Sequence, residues 1–312
     1  MKNQSDARQI RIGTRGSALA LAQATEVQNR LSAIYGGEVS FETVIIKTSG
    51  DKILDRALAA VGGKGLFTKE LEEALLDNSI DIAVHSMKDV QAVLPDELEI
   101  ACVLPREDVR DAFISLTAKS LAAMPEGAVI GTASIRREAF IRNKRPDLKT
   151  VLFRGNVQTR LRKLEEGEAQ ATLLAAAGLR RLGLADRITQ LIPVEDMLPA
   201  PAQGAIGIEV RRADARAKEI IAAIHHRDSG YAVEAERAFL SQLDGSCRTP
   251  IAALARVDGD ALSFKGAILT PDGARTYETE RKGTVAQAAA LGVDAARELY
   301  ERGGKDVFRD IA

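Results

Sequence analysis

His85-Ser86-Met87-Lys88-Asp89 directly follows Ile80-Asp81-Ile82-Ala83-Val84, which reads as a short buried strand. A carboxylate just past a strand end, with a lysine beside it in sequence, suits charge stabilisation or proton transfer, because the cation favours ionised Asp89. The same spacing suits a plain helix cap. Arg15, Arg136, Arg137, Arg154 and Arg160 form a second group, each just beyond a predicted strand or at the start of a predicted helix. Thr14, Ser17, Thr132, Ser134 and Asn156 stand beside them. Guanidinium forks, hydroxyls and helix N-termini together suit a ligand with several carboxylates. Ordinary surface salt bridges are the plain alternative. Cys247 lies between Ser246 and Arg248, after Asp244-Gly245 and before Pro250, and so reads as a loop thiol beside a cation. Such a setting raises nucleophilicity, although a lone cysteine is more often a buried hydrophobe. Cys102, inside Ile100-Ala101-Cys102-Val103-Leu104, reads as structural. Gly62-Gly63-Lys64-Gly65 lacks the hydroxyl residue and the upstream spacing of a phosphate loop. It reads as a lid carrying one cation, or as a surface turn.

An α/β framework must position these groups. Residues 10–14 read as a strand, 18–34 as a helix, 39–47 as a strand, 50–65 as a mobile loop with four glycines, 68–77 as an amphipathic helix and 80–84 as a strand. A similar cycle follows Pro105: strand 129–132, helix 135–143, strand and loop 150–155, helix 157–165 and strand 172–174. Two such lobes would bind a ligand beyond the carboxyl ends of their strands, in a cleft. Met197-Leu198-Pro199-Ala200-Pro201-Ala202 reads as a return linker, and 205–210 as a strand that rejoins the first lobe. Residues 232–243 read as a helix. From Pro250 onward, strands, turns at Asp258-Gly259-Asp260 and Pro271-Asp272-Gly273, and a last helix over 285–302 suggest a small α+β domain. The expected domains are 1–104 with 203–222, then 105–202, then 223–312.

Composition narrows the classes. The chain has 312 residues, 46% hydrophobic and 28% charged, which excludes a disordered protein. A net charge of −1 gives no global attraction to nucleic acid or an anionic membrane, so any positive site is local. Two cysteines make no disulfide framework, and three histidines without CxxC make no Cys/His metal site. The first six residues are polar, and no apolar run approaches the ~20 residues of a membrane span. A reducing cytoplasm is the expected setting.

Taken together and in order, the motifs resemble those of the porphobilinogen deaminase family. They are Ile12-Gly13-Thr14-Arg15-Gly16-Ser17-Ala18-Leu19-Ala20-Leu21, Val61-Gly62-Gly63-Lys64-Gly65-Leu66-Phe67, Val84-His85-Ser86-Met87-Lys88-Asp89-Val90, and Arg106-Glu107-Asp108 with Asp111-Ala112-Phe113. Gly131-Thr132-Ala133-Ser134-Ile135-Arg136-Arg137, Arg154-Gly155-Asn156-Val157 with Thr159-Arg160-Leu161, and Ala177-Gly178-Leu179-Arg180-Arg181-Leu182-Gly183 continue the series. Gln203-Gly204-Ala205, Ala235-Glu236-Arg237 and Leu243-Asp244-Gly245-Ser246-Cys247 complete it.

The resemblance implies two lobes like those of type II periplasmic binding proteins, plus the small α+β domain. It implies a monomer with a dipyrromethane cofactor held through a thioether to Cys247, acting on porphobilinogen and on neither nucleic acid nor membrane. Asp89, Lys88 and Arg15 are then the catalytic candidates. Cofactor contacts are expected from Cys247, Lys88, Asp89, Ser86, Thr132, Ser134, Arg136, Arg137 and Gly204. Substrate contacts are expected from Arg15, Ser17, Gln23, Lys64, Arg154, Arg160, Arg181 and Gln203. No metal is expected. Three positions depart from the family pattern: Ala60 where Lys is frequent, Gln91 where Pro often follows, and Ala202 where Gly is common. Two other readings stay open on residues alone. One is a binding protein for organic anions; the other is a different cysteine transferase, for which His85, His225 and His226 offer no obvious base by sequence.

Overall fold

Strands rich in β-branched residues alternate with helices through both halves of the chain. The structure is a computed structural model that describes residues 9–52, 65–243 and 249–308. Ala60, Lys64 and Cys247 lie outside the described residues.

Two units divide the described chain. The first gathers residues up to 52, 65–106 and 205–230; the second gathers 107–204 and 231–308. In the first unit, β1 (Gln9–Arg15) pairs in parallel with β2 (Ser40–Ile46) and β3 (Ile82–Ser86). The strand β10 (Ile206–Arg211) inserts antiparallel between β3 and β4 (Leu98–Val103). The order is β2-β1-β3-β10-β4. Helix α1 (Ala18–Tyr35) starts where the Ser17 hydroxyl accepts the Ala20 N–H, and it buries Val27 and Leu31 against Ile10, Ile12, Ile82, Val84 and Ile208. A short helix, α2 (Ser49–Lys52), opens the segment expected to be loop throughout. Local hydrogen bonding explains it: the Gly50 N–H reaches the Leu66 carbonyl and Ser49 bonds to Glu70. Helix α3 (Lys69–Leu76) buries Leu71 and Leu75.

The second unit repeats the layout with β5 (Asp111–Ser115), β6 (Val129–Thr132), β7 (Lys149–Leu152), β8 (Ala171–Ala175) and β9 (Gln190–Leu191), in the order β7-β6-β8-β5-β9. Here β5 is the inserted antiparallel strand. It fills the slot that β10 fills in the first sheet. Ser134 caps α4 (Ile135–Lys144) and Asn156 caps α5 (Val157–Glu165). Helices α6 (Ala176–Arg181) and α7 (Ala215–Ala222) complete the two lobes.

Three antiparallel strands, β11 (Ile251–Asp258), β12 (Ala261–Leu269) and β13 (Thr276–Thr284), form a third sheet under α8 (Arg227–Gln242) and α9 (Ala288–Val307). Its core includes Phe239, Phe264, Ile268 and Leu299. The other face of this sheet, with Ala252, Leu254, Ala267 and Leu269, joins the core around Phe113, Phe140 and Leu173. Buried Glu236 on α8 ties this region together, accepting the backbone N–H groups of Ala202 and Ala255 at 2.5 and 2.7 Å.

Candidate active site

In the first unit, strand ends converge on one pocket. It is lined by Arg15 at the end of β1, Ser17 just past it, Gln23 on α1, His85 and Ser86 at the end of β3, and Asp89 in the turn that follows. Phe67 and Thr68 complete one wall. The Arg15 guanidinium carbon stands 4.2 Å from the Phe67 ring centroid, a cation–π contact that holds a positive charge at the rim. Gln23 Nε2 donates to Ser86 Oγ at 2.8 Å, and Ser86 Oγ returns a bond to Gln23 Oε1 at 3.1 Å. That pair locks the end of β3 to α1. Met87 donates its N–H to the Ala205 carbonyl at 3.0 Å, which fixes the turn Met87–Asp89 and leaves Asp89 exposed and Lys88 half-buried. Arg15, Ser17, Gln23, Ser86 and Asp89 therefore share one site, although up to 74 positions separate them in sequence.

Gln91 occupies its family-variant position by bonding weakly to Thr68 Oγ1 and Glu72 Oε1, each at 3.5 Å. Sequence reasoning missed Phe67 as a functional wall and missed the partner of His85. His85 Nε2 lies 2.8 Å from Glu209 Oε2, and both side chains are buried. The two residues are 124 positions apart, so no local signal links them.

The second unit collects the other basic residues. Arg136 and Arg137, in the first turn of α4, both grip buried Asp111. Arg136 Nη2 donates to Oδ2 at 2.6 Å, while Arg137 Nε and Nη2 donate to Oδ1 at 3.0 and 2.7 Å. Burial alone would raise the Asp111 carboxyl; the two guanidiniums outweigh it and hold the group far below the usual carboxylate range. Arg136 Nη1 and Arg137 Nη1 also cap the Leu198 and Leu173 carbonyls. Gln203 Nε2 reaches the Val109 carbonyl and Asp111 Oδ1. Arg181 Nη2 donates to the Gly204 carbonyl at 3.0 Å, and Arg160 Nε to that of Gly155 at 2.8 Å. Gly204 is required by geometry: its φ is +90°, and a Cβ there would stand 2.5 Å from the Glu107 carbonyl oxygen. Thr132 is buried and accepts the Ser134 N–H; Arg154 is buried just past β7.

A family model described as "Porphobilinogen deaminase, dipyromethane cofactor binding domain" matches residues 10–219, and one described as "Porphobilinogen deaminase, C-terminal domain" matches residues 231–301. The chain belongs to the porphobilinogen deaminase family. The porphobilinogen deaminase of Nitrobacter hamburgensis is 58% identical over 300 residues, covering 95% of this chain and 94% of that one. That of Paracoccus denitrificans is 56% identical, covering 96% of each chain. The chloroplastic porphobilinogen deaminase of Oryza sativa subsp. japonica is 54% identical, covering 97% of this chain and 86% of the relative.

The dipyrromethane cofactor of the family is a polycarboxylate, and the second unit suits one. Two buried guanidiniums share the single carboxylate of Asp111, and Arg136 Nε is buried with no hydrogen-bond partner. That excess of positive charge fits acetate and propionate groups. Cys102 does not compete as an anchor: burial pushes its thiol up to about 12, where it stays protonated and inert.

Proposed function

We propose that Asp89 faces the positive charge that develops on porphobilinogen, and that Arg15, Ser17 and Gln23 orient the substrate's carboxylates in the pocket of the first lobe. The chain is a transferase of tetrapyrrole synthesis that joins four porphobilinogen units to an enzyme-bound dipyrromethane primer, releases ammonia at each step, and hydrolyses the product to hydroxymethylbilane. The observation that carries the assignment of roles is the meeting of Arg15, Ser17, Gln23, Ser86 and Asp89 in one pocket. Loss of ammonia leaves a ring whose positive charge is shared with the pyrrole nitrogen. An exposed carboxylate aimed at that N–H stabilises it without reorganisation. Arg15, held by Phe67, supplies the fork that pairs with a carboxylate.

The covalent primer supplies a fixed acceptor ring, which gives the proximity advantage. Cys247 is its proposed anchor, and Lys88, Asp89, Ser86, Thr132, Ser134, Arg136, Arg137 and Gly204 its proposed contacts. Lys64, Arg154, Arg160, Arg181 and Gln203 are proposed for the substrate side. The three-domain partition expected from the sequence is supported by three separate sheets. We propose a cytoplasmic monomer, consistent with two cysteines and no disulfide framework. No helix among the described residues is long and apolar enough to cross a membrane.

Asp89→Asn tests the reading. Turnover is expected to fall by about 10²-fold or more, with the thermal midpoint unchanged because the side chain is exposed. Near-normal turnover would remove Asp89 from the chemistry.

A further inference from the structure

Beneath the pocket lies a buried charged cluster that the roles above leave unused. Glu209, on β10, is fully buried, with Oε2 2.8 Å from His85 Nε2 on the neighbouring strand β3. Its Oε1 is buried without a hydrogen-bond partner. Glu72, on α3, is buried nearby: burial raises its carboxyl, Glu209 pushes the same way, and Thr68, His85 and Gln91 oppose. A carboxylate removed from water needs a hydrogen-bond donor at close range. The neutral His85 ring supplies one through Nε2–H. With Nε2 committed to Glu209, Nδ1 is the basic nitrogen of the neutral ring. No hydrogen bond at Nδ1 is made among the described residues, and His85 lines the same pocket as Asp89.

Each condensation moves one proton. The carbon–nitrogen bond of the aminomethyl group breaks, and its electron pair stays on nitrogen, so an ammonium substituent leaves as ammonia. A carbon–carbon bond forms between that methylene carbon and the free α-carbon of the acceptor pyrrole. The α-carbon then loses a proton, and ammonia takes one up to leave as ammonium. Atoms and charge balance when one residue carries the proton from carbon to nitrogen. Asp89, engaged with the ring N–H as its counter-charge, is poorly placed to be that base in the same step.

We propose that His85 is the proton carrier of the pocket: Nδ1 accepts the α-carbon proton and passes it to the departing ammonia, while Glu209 stabilises the imidazolium between the two transfers. This rests on the reading of Asp89 given above. The charged and titratable groups around His85 are Glu209 from β10, Glu72 from α3, Arg15 from β1, and Asp89 in the following turn.

The test uses holoenzyme with cofactor content checked by intact mass. His85→Gln is expected to slow single-turnover consumption of porphobilinogen by about 10²-fold, with KM within about threefold, and added imidazole is expected to restore part of the rate. Glu209→Gln keeps the ring but removes its counter-charge, so the acid limb of the pH–rate profile moves to lower pH. ¹⁵N NMR of the unliganded protein reads the same ring directly. His85 is expected to hold its neutral proton on Nε2, and its titration is expected to move to lower pH in Glu209→Gln. A His85→Gln rate within threefold of wild type, or a loss that imidazole does not rescue, overturns the proposal. If His85→Gln yields no holoenzyme, an unchanged acid limb and NMR titration in Glu209→Gln overturn it. Asp89→Asn separates the two readings: normal turnover there removes the role of Asp89, whereas failed imidazole rescue with Asp89→Asn inactive removes only that of His85.

Discussion

Asp111 Oδ2 accepts a 2.6 Å hydrogen bond from Arg136 Nη2, with both side chains buried. The other oxygen of the same carboxylate holds Arg137, so one anion at the start of β5 sets two cations at the start of α4. The orientation of Arg136 and Arg137 therefore depends on this one buried carboxylate.

Asp111→Asn leaves two buried guanidiniums without their counter-charge, and breaking such a buried pair costs about 3–5 kcal/mol. Urea denaturation of the two proteins measures this directly. The pH dependence has a definite sign. The folded Asp111 carboxyl lies below its unfolded value of about 3.9, so its contribution is fully present above that value and is lost as pH falls below it. The stability gap between wild type and Asp111→Asn is therefore expected to stay level from about pH 7 to pH 5 and to narrow only below about pH 4. A gap that widened in acid would contradict the pairing.

Much of this was legible in the sequence, and the exceptions have physical causes. The helix Val157–Glu165 was readable because Asn156 supplies a cap and Leu161 and Leu164 mark one buried face. The strand Asp111–Ser115 was not, because it opens on a charged residue that only distant arginines make tolerable inside the protein. Helix α8 begins at Arg227, earlier than its apolar pattern indicates, since its first turn, Arg227-Asp228-Ser229-Gly230, is polar. In the site, Arg15 and Asp89 announced themselves by position at or just past strand ends. The pairs His85–Glu209 and Gln23–Ser86 form only once the sheet brings remote segments together.

Ala202 has φ of +60° and is buried, with its N–H on Glu236. A left-handed backbone at a residue with a Cβ costs about 1–2 kcal/mol, and glycine avoids it. After the greater freedom of glycine in the unfolded chain is deducted, Ala202→Gly is expected to stabilise by about 0.5–1 kcal/mol. Thermal or urea unfolding decides it; a destabilised variant would mean that the Ala202 methyl packs better than the backbone is strained.

Cys247→Ser removes the thiol proposed to anchor the primer. Intact-protein mass spectrometry is expected to show wild-type chain heavier by two linked pyrroles, and the variant at its bare mass without activity. A wild-type protein of unmodified mass, purified after expression with porphobilinogen present, would contradict the anchor.

The exchange of β5 and β10 between equivalent slots has a consequence for how the chain is made. The second lobe's five-stranded sheet needs only residues 111–191 and can close while translation is still under way. The first lobe's sheet cannot, because β3 and β4 are joined only through Ile206–Arg211. On the ribosome the lobe that begins first is therefore finished second. Until about residue 211 emerges, the turn Met87–Asp89 after β3 lacks both the strand beside it and the Ala205 carbonyl that fixes it. The pocket assembles late, around a strand delivered after the second lobe's sheet is complete.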